Sequence, residues 1–116
     1  MGASGRASPR PSDRLTGLIR ERRLRARLFG EGLFADPAWD MLLDLARARI
    51  EQRGVSVTSL CHASGVPPTT ALRWIRLLER RQLIAREHDR HDRRRSFVVL
   101  TPGAVEAMER YLADLG

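Results

Sequence analysis

The segment HDRHDRRRSFVVLTPG, residues 88–103, places Arg90, Arg93, Arg94 and Arg95 within six positions, among His88, His91, Asp89 and Asp92. Guanidinium groups are planar, always charged, and grip phosphate or a base edge with parallel N–H donors. A solvated turn needs fewer charges than this; a polyanion would use all four. His88 and His91 with Asp89 or Asp92 offer a metal site as the alternative, which the surrounding arginines oppose by repelling a cation. Cys61 offers a redox thiol, or simply a small hydrophobe packed on a helix face. Nothing in the sequence resembles a nucleophile–base pair or a glycine loop that cradles phosphate. The chain therefore reads as a non-enzyme without a cofactor.

The charge as a whole points the same way. The 116 residues carry a formal net charge of +7, and all 21 basic residues are arginine. Genome composition alone would produce an arginine-only surface, yet that surface still consists of bidentate phosphate binders. Residues 1–30 hold eight arginines against two acids, and residues 73–95 hold nine against four. The stretches 31–72 and 96–116 are each acidic by two charges. Two basic patches flanking acidic segments suit a molecule with one face toward a polyanion. A single cysteine excludes an intrachain disulfide. No apolar run approaches the roughly 18 residues that a bilayer span requires, and the N-terminus lacks a signal-peptide apolar core. These features read as a cytoplasmic protein with no membrane partner.

These residues need elements to hold them. Residues 1–13, rich in Gly, Ser, Pro and Arg, have little to bury and read as a disordered tail. Residues 14–30 read as a basic N-terminal helix carrying Leu15, Leu18, Ile19, Arg22 and Leu28, stopped by Gly30 and Gly32. Residues 31–116 read as the main domain. There Asp36 and Pro37 open a helix whose core face is Trp39, Leu42, Leu43, Ala46 and Ile50, with Gly54 as its stop. Val55 and Val57 suggest a very short strand. Ser56 caps a helix through Leu60, Cys61 and Ala63, and Gly65 fits a left-handed position that ends it. The next helix, 68–81, begins at Pro68 and turns Ala71, Trp74, Ile75 and Leu78 inward. Thr69, Thr70, Arg73 and Arg76 then point outward, while Leu72 and Leu77 fit neither face.

After Leu83 the period changes. Residues 84–87 and 96–100 read as two strands around a charged tip, 88–95. Thr101 caps a last helix with Pro102 in its first turn and Val105, Met108, Tyr111, Leu112 and Leu115 as its apolar stripe. The fold class is mostly α with a small β-hairpin wing, a winged helix-turn-helix.

Residues 55–101 resemble the MarR family of multiple-antibiotic-resistance regulators. The wing motif is Asp92-Arg93-Arg94, then Ser96 to Val99, then Leu100-Thr101. The end of the preceding helix reads Leu78-Glu79-Arg80-Arg81-Gln82-Leu83-Ile84, with Gln82 where the family has glycine. A left-handed backbone at that point would disfavour Gln82 by roughly 1 kcal/mol. The resemblance implies that helix 68–81 enters the major groove of double-stranded DNA through Pro68, Thr69, Thr70, Arg73 and Arg76. It implies that Arg94, with Arg90, Arg93 and Arg95 beside it, reaches the minor groove, and that Asp92 supports the tip. It also implies a homodimer through the terminal helices, for which Leu18, Leu28, Val105, Met108, Tyr111 and Leu112 are the candidates.

The function expected is sequence-specific DNA binding in transcriptional regulation. The alternative is a winged-helix module that docks on another regulator, which outward-facing Leu72 and Leu77 would favour. Neither the operator nor an effector ligand can be read from these residues.

Overall fold

A computed structural model describes residues 10–115. The order is α1 (Pro11–Phe29), α2 (Pro37–Glu51), α3 (Val57–Ala63), α4 (Pro68–Arg80), β1 (Ile84–His88), β2 (Ser96–Leu100) and α5 (Pro102–Asp114). The strands form one antiparallel hairpin in register Ile84↔Leu100 through His88↔Ser96. Among the described residues no helix is long and apolar enough to cross a membrane.

Helix α2 is the centre of the fold because it is buried on two sides. Met41, Leu45 and Ala48 enter a cluster with Val55, Leu60, Ala71, Ile75, Leu78, Ile84 and Val98. Leu43 and Ala46 enter a second cluster with Leu15, Met108 and Leu112. Leu42 and Leu100 pack against both. Each fully buried Leu, Ile, Val or Met among them contributes about 1.5–3 kcal/mol before entropy is subtracted, and each alanine less. The single core stripe expected for this helix needs correction in consequence. Trp39 and Leu42 are half-buried, and Ile50 remains 48% exposed.

Other expected boundaries shift for physical reasons. Helix α1 starts at Pro11, inside the expected tail, since Pro suits a first turn and Leu15 is drawn into the second cluster. The remaining tail, residues 1–9, lies outside the described residues. Asp36 precedes α2 but makes no side-chain cap. The left-handed residue that closes α2 is Gln52 (φ 55°), not Gly54. Gly54 is required for another reason: a Cβ there would lie 2.8 Å from Cε1 of Phe97. No strand forms at Val55–Val57, although the Val55 carbonyl accepts a hydrogen bond of 2.8 Å from the Val98 amide.

The local signals around the helix-turn-helix correspond to the observed structure. Ser56 Oγ accepts from the Ser59 amide at 3.1 Å, and Gly65 has φ 73°. Thr101 Oγ1 accepts from the Ala104 amide at 3.2 Å. At the ends of the chain, Arg14 Nη1 donates to the Leu112 carbonyl at 2.7 Å, tying α1 to α5. Arg22 pairs with Asp40 and also donates to the Phe34 carbonyl at 2.9 Å, tying α1 to α2. The Asp40 carboxylate holds the Arg22 guanidinium above its ordinary pKa.

Candidate nucleic-acid interface

Helix α4 owes its orientation to one apolar row. Ala71, Ile75 and Leu78 recur at i, i+4 and i+7 and are buried against α2 and the hairpin. Pro68 occupies the first turn, where a missing N–H costs nothing. The opposite face then carries Thr69, Thr70, Arg73 and Arg76, all exposed. Arg80 continues that face at i+4 from Arg76 and i+7 from Arg73, and it too is exposed. The sequence reading missed it, although the same spacing marks it. Among the described residues, neither Arg73 nor Arg76 has a carboxylate within ion-pairing distance. The helix ends at Arg80, with Arg81 as its cap. Leu72 and Leu77 are half-buried, and Leu72 packs on the first core cluster, which corrects its outward reading.

The hairpin tip is ordered by its own acids. His88 belongs to β1, so the turn proper runs from 89 to 95. The Asp89 amide donates to the Arg95 carbonyl at 3.0 Å, and Asp89 Oδ1 accepts from the His91 amide at 2.8 Å. Asp92 Oδ1 accepts from the Arg94 amide at 3.0 Å and from Arg94 Nε at 3.1 Å. These donors, the side chain of Arg94 foremost, hold the Asp92 carboxyl below its usual range. Arg95 approaches Asp89 at 3.9 Å and lies over the Phe97 ring, 5.3 Å from its centroid. Both carboxylates are thus engaged by donors of the turn itself, and among the described residues no group of three metal-ligating side chains assembles. Arg90 and Arg93 are exposed, and the Arg94 side chain is 92% exposed.

Two contacts fix the hairpin against the helices. Arg86 of β1 meets Glu79 of α4 with Nε–Oε2 at 3.2 Å and Nη2–Oε1 at 3.4 Å. Phe97 of β2 covers the backbone at Gly54. Sequence reading missed both, because each joins residues of different elements.

The residues expected at a dimer interface are dispersed. Met108 and Leu112 are buried within the chain, against Leu15 and Leu43. Leu18 and Val105 are half-buried, and Tyr111 lies edge-on to Trp39 with centroids 4.8 Å apart. Leu28 is 67% exposed and continues into exposed Phe29 and Leu33. Cys61 is half-buried against the first cluster.

Comparison with known proteins gives a consistent picture. A family model described as a winged helix DNA-binding domain matches residues 42–104, from α2 into α5. No curated protein sequence matches the chain significantly. Among solved structures, the chain is similar to Staphylococcus aureus MepR in complex with DNA, at 22% identity and a TM-score of 0.57, covering 86% of this chain and 78% of that one. MepR bound to ethidium bromide aligns at 21% identity and a TM-score of 0.59, covering 86% and 72%. The transcriptional regulator PA3341 aligns at 27% identity and a TM-score of 0.55, covering 87% and 69%.

Proposed function

The chain belongs to the winged helix DNA-binding domain family, and from this premise we propose that it is a transcriptional regulator that reads double-stranded DNA by sequence. Helix α4 lies in the major groove in this reading, with Pro68, Thr69 and Thr70 at its entering end and Arg73 and Arg76 on base edges. Arginine can grip guanine O6 and N7 together, and a threonine methyl can touch that of thymine. The hairpin tip reaches the adjacent minor groove through Arg94, where A·T-rich sequence concentrates negative potential. Arg90, Arg93 and Arg95 add phosphate contacts, and Asp92 supports the tip. Exposed Arg20, Arg23 and Arg27 of α1 extend the positive surface.

The observation that carries the reading is the free arginine face of α4 beside a tip whose Arg94 is held at its root and exposed at its end. MepR, whose fold this chain shares, has been solved with DNA. We further propose that the regulator acts as a homodimer. Leu24 and Leu28 lie on the side of α1 away from the chain's own core, next to Phe29 and Leu33, and this exposed apolar strip supports self-association. A dimer of this kind binds a two-fold operator.

The test is a binding assay on genomic and random duplex fragments across salt concentrations. Log affinity should fall linearly with log salt, because phosphate contacts release counterions. A subset of genomic fragments should bind more tightly than random ones at every salt. Absence of binding at low salt would return the protein to the docking-module alternative.

A further inference from the structure

We infer that the Thr101 hydroxyl is a positioning group: it locks the turn after the recognition helix to the start of α5 and so sets the pose in which α4 meets DNA. The inference rests on the DNA-binding reading above.

Thr101 stands where β2 has ended and α5 has not begun. Its amide donates to the Leu83 carbonyl at 3.0 Å. Its Oγ1 donates to the Gln82 carbonyl at 2.8 Å and accepts from the Ala104 amide at 3.2 Å. A hydroxyl has one proton to give and lone pairs to receive with. Here the proton goes to Gln82 in the turn after α4, the Leu83 carbonyl lying farther off at 3.4 Å, and a lone pair serves the first turn of α5. One oxygen thus bonds the turn that follows α4 to the first turn of α5, two segments otherwise separated by the whole wing.

The recipient matters. Gln82 has φ 59°, the left-handed region, in which a side-chain-bearing residue is disfavoured. Its amide closes back on Glu79 at 3.0 Å, and the Leu83 amide closes on Leu78, also at 3.0 Å. A change of dihedral at Gln82 would swing α4 relative to the hairpin, and the Thr101 hydroxyl restrains the carbonyl that would move. Beyond Thr101, α5 carries Met108 and Leu112 into the cluster shared with α1. The hydroxyl therefore links the base of α5, and through it the cluster shared with α1, to the turn behind α4.

Thr101→Val keeps the shape and loses both hydrogen bonds; Thr101→Ser keeps both. A lost cap on α5 lowers stability alone, so stability and DNA affinity must be measured separately, at a temperature where every variant is folded. We expect Thr101→Val to lower affinity for a selected duplex about tenfold, the size of one lost hydrogen bond in the bound pose. Thr101→Ser should stay close to wild type. Gln82→Gly makes the left-handed turn unstrained. Combined with Thr101→Val it should restore most of the affinity, while the melting temperature of the double variant stays below that of Gln82→Gly alone by the missing cap. If Thr101→Val melts early but binds as wild type does, the hydroxyl is only a helix cap and the inference is overturned. If Thr101→Val fails to fold, the double variant decides: affinity lost there despite the glycine also overturns it. A wild-type protein that binds no duplex would remove the DNA reading itself, a result distinct from either.

Discussion

Asp92 receives two hydrogen bonds from a single residue, Arg94, whose amide lies at 3.0 Å and whose Nε lies at 3.1 Å. The carboxylate fixes the guanidinium at its inner nitrogen and leaves the outer nitrogens free. An arginine restrained in this way has less side-chain entropy to lose when it enters a groove. If Arg94 enters the minor groove as proposed, Arg94→Ala should weaken binding most at sites with A·T-rich flanks, where the narrow groove concentrates negative potential. Asp92→Ala should weaken the same sites by up to about tenfold, with at most a small drop in melting temperature because the pair is exposed. Binding-selection profiles of both variants check this; a uniform loss across all sequences would make Arg94 a phosphate anchor only.

The same pair sets a pH dependence. The Asp92 carboxyl is held below its usual value by the Arg94 side chain first and the Arg94 amide second. An unfolded aspartate titrates near about 3.9. A depressed folded value means that the stabilising contribution is complete above that point and is lost as pH falls through the lower, folded one. Carboxyl NMR should therefore find Asp92 titrating below the same residue in an unstructured peptide. Arg94→Ala should move it part of the way back, because the amide still donates. Asp92 should stay ionised between pH 5 and 8, so its own contribution to tip order should be constant there.

Arg73 and Arg94 should fail differently. Arg73→Ala should relax preference at one or two base positions and cost roughly 1–3 kcal/mol on the best site, as loss of a bidentate base contact does. The protein should still unfold cooperatively at an unchanged temperature, since Arg73 projects from the face opposite Ile75. A selection profile of unchanged shape would count against base readout.

Gly54→Ala tests the root of the wing. The added methyl would meet the Phe97 ring at 2.8 Å, so the ring or the hairpin must move. We expect a loss of about 1–3 kcal/mol, the usual cost of overpacking. Adding Phe97→Leu should recover part of it, as thermal unfolding of the single and double variants would show.

Gly54 also illustrates what was legible in the sequence. As a glycine following arginine-rich helical turns it reads as a helix stop, but that position falls to Gln52, and the need for glycine comes from Phe97, 43 positions later. Signals contained in a few residues were readable: Ser56 as a cap, Gly65 as a left-handed turn, Pro68 and Thr101 at helix starts. The outward placement of Arg73, Arg76 and the tip arginines was readable, because charge spacing survives without knowledge of neighbours. The two-sided burial of α2 was not, since its second side is defined by Leu15, Met108 and Leu112, far away in sequence. The pairing of Arg22 with Asp40 and of Arg86 with Glu79 likewise exists only after the elements have met. The dimer candidates Met108 and Leu112 show the same limit: an apolar stripe says that a face is covered, and not by what.

Leu42 and Leu100 touch both hydrophobic clusters. The two clusters are therefore mechanically in series, and neither can open without uncovering side chains that the other also needs. Such sharing suppresses partial unfolding. Helix α1, which looks peripheral, would then exchange its amides around Leu15 only when the DNA-reading half opens as well. The chain would pass between native and unfolded as one cooperative unit, with no stable remnant of the wing and recognition helix left behind.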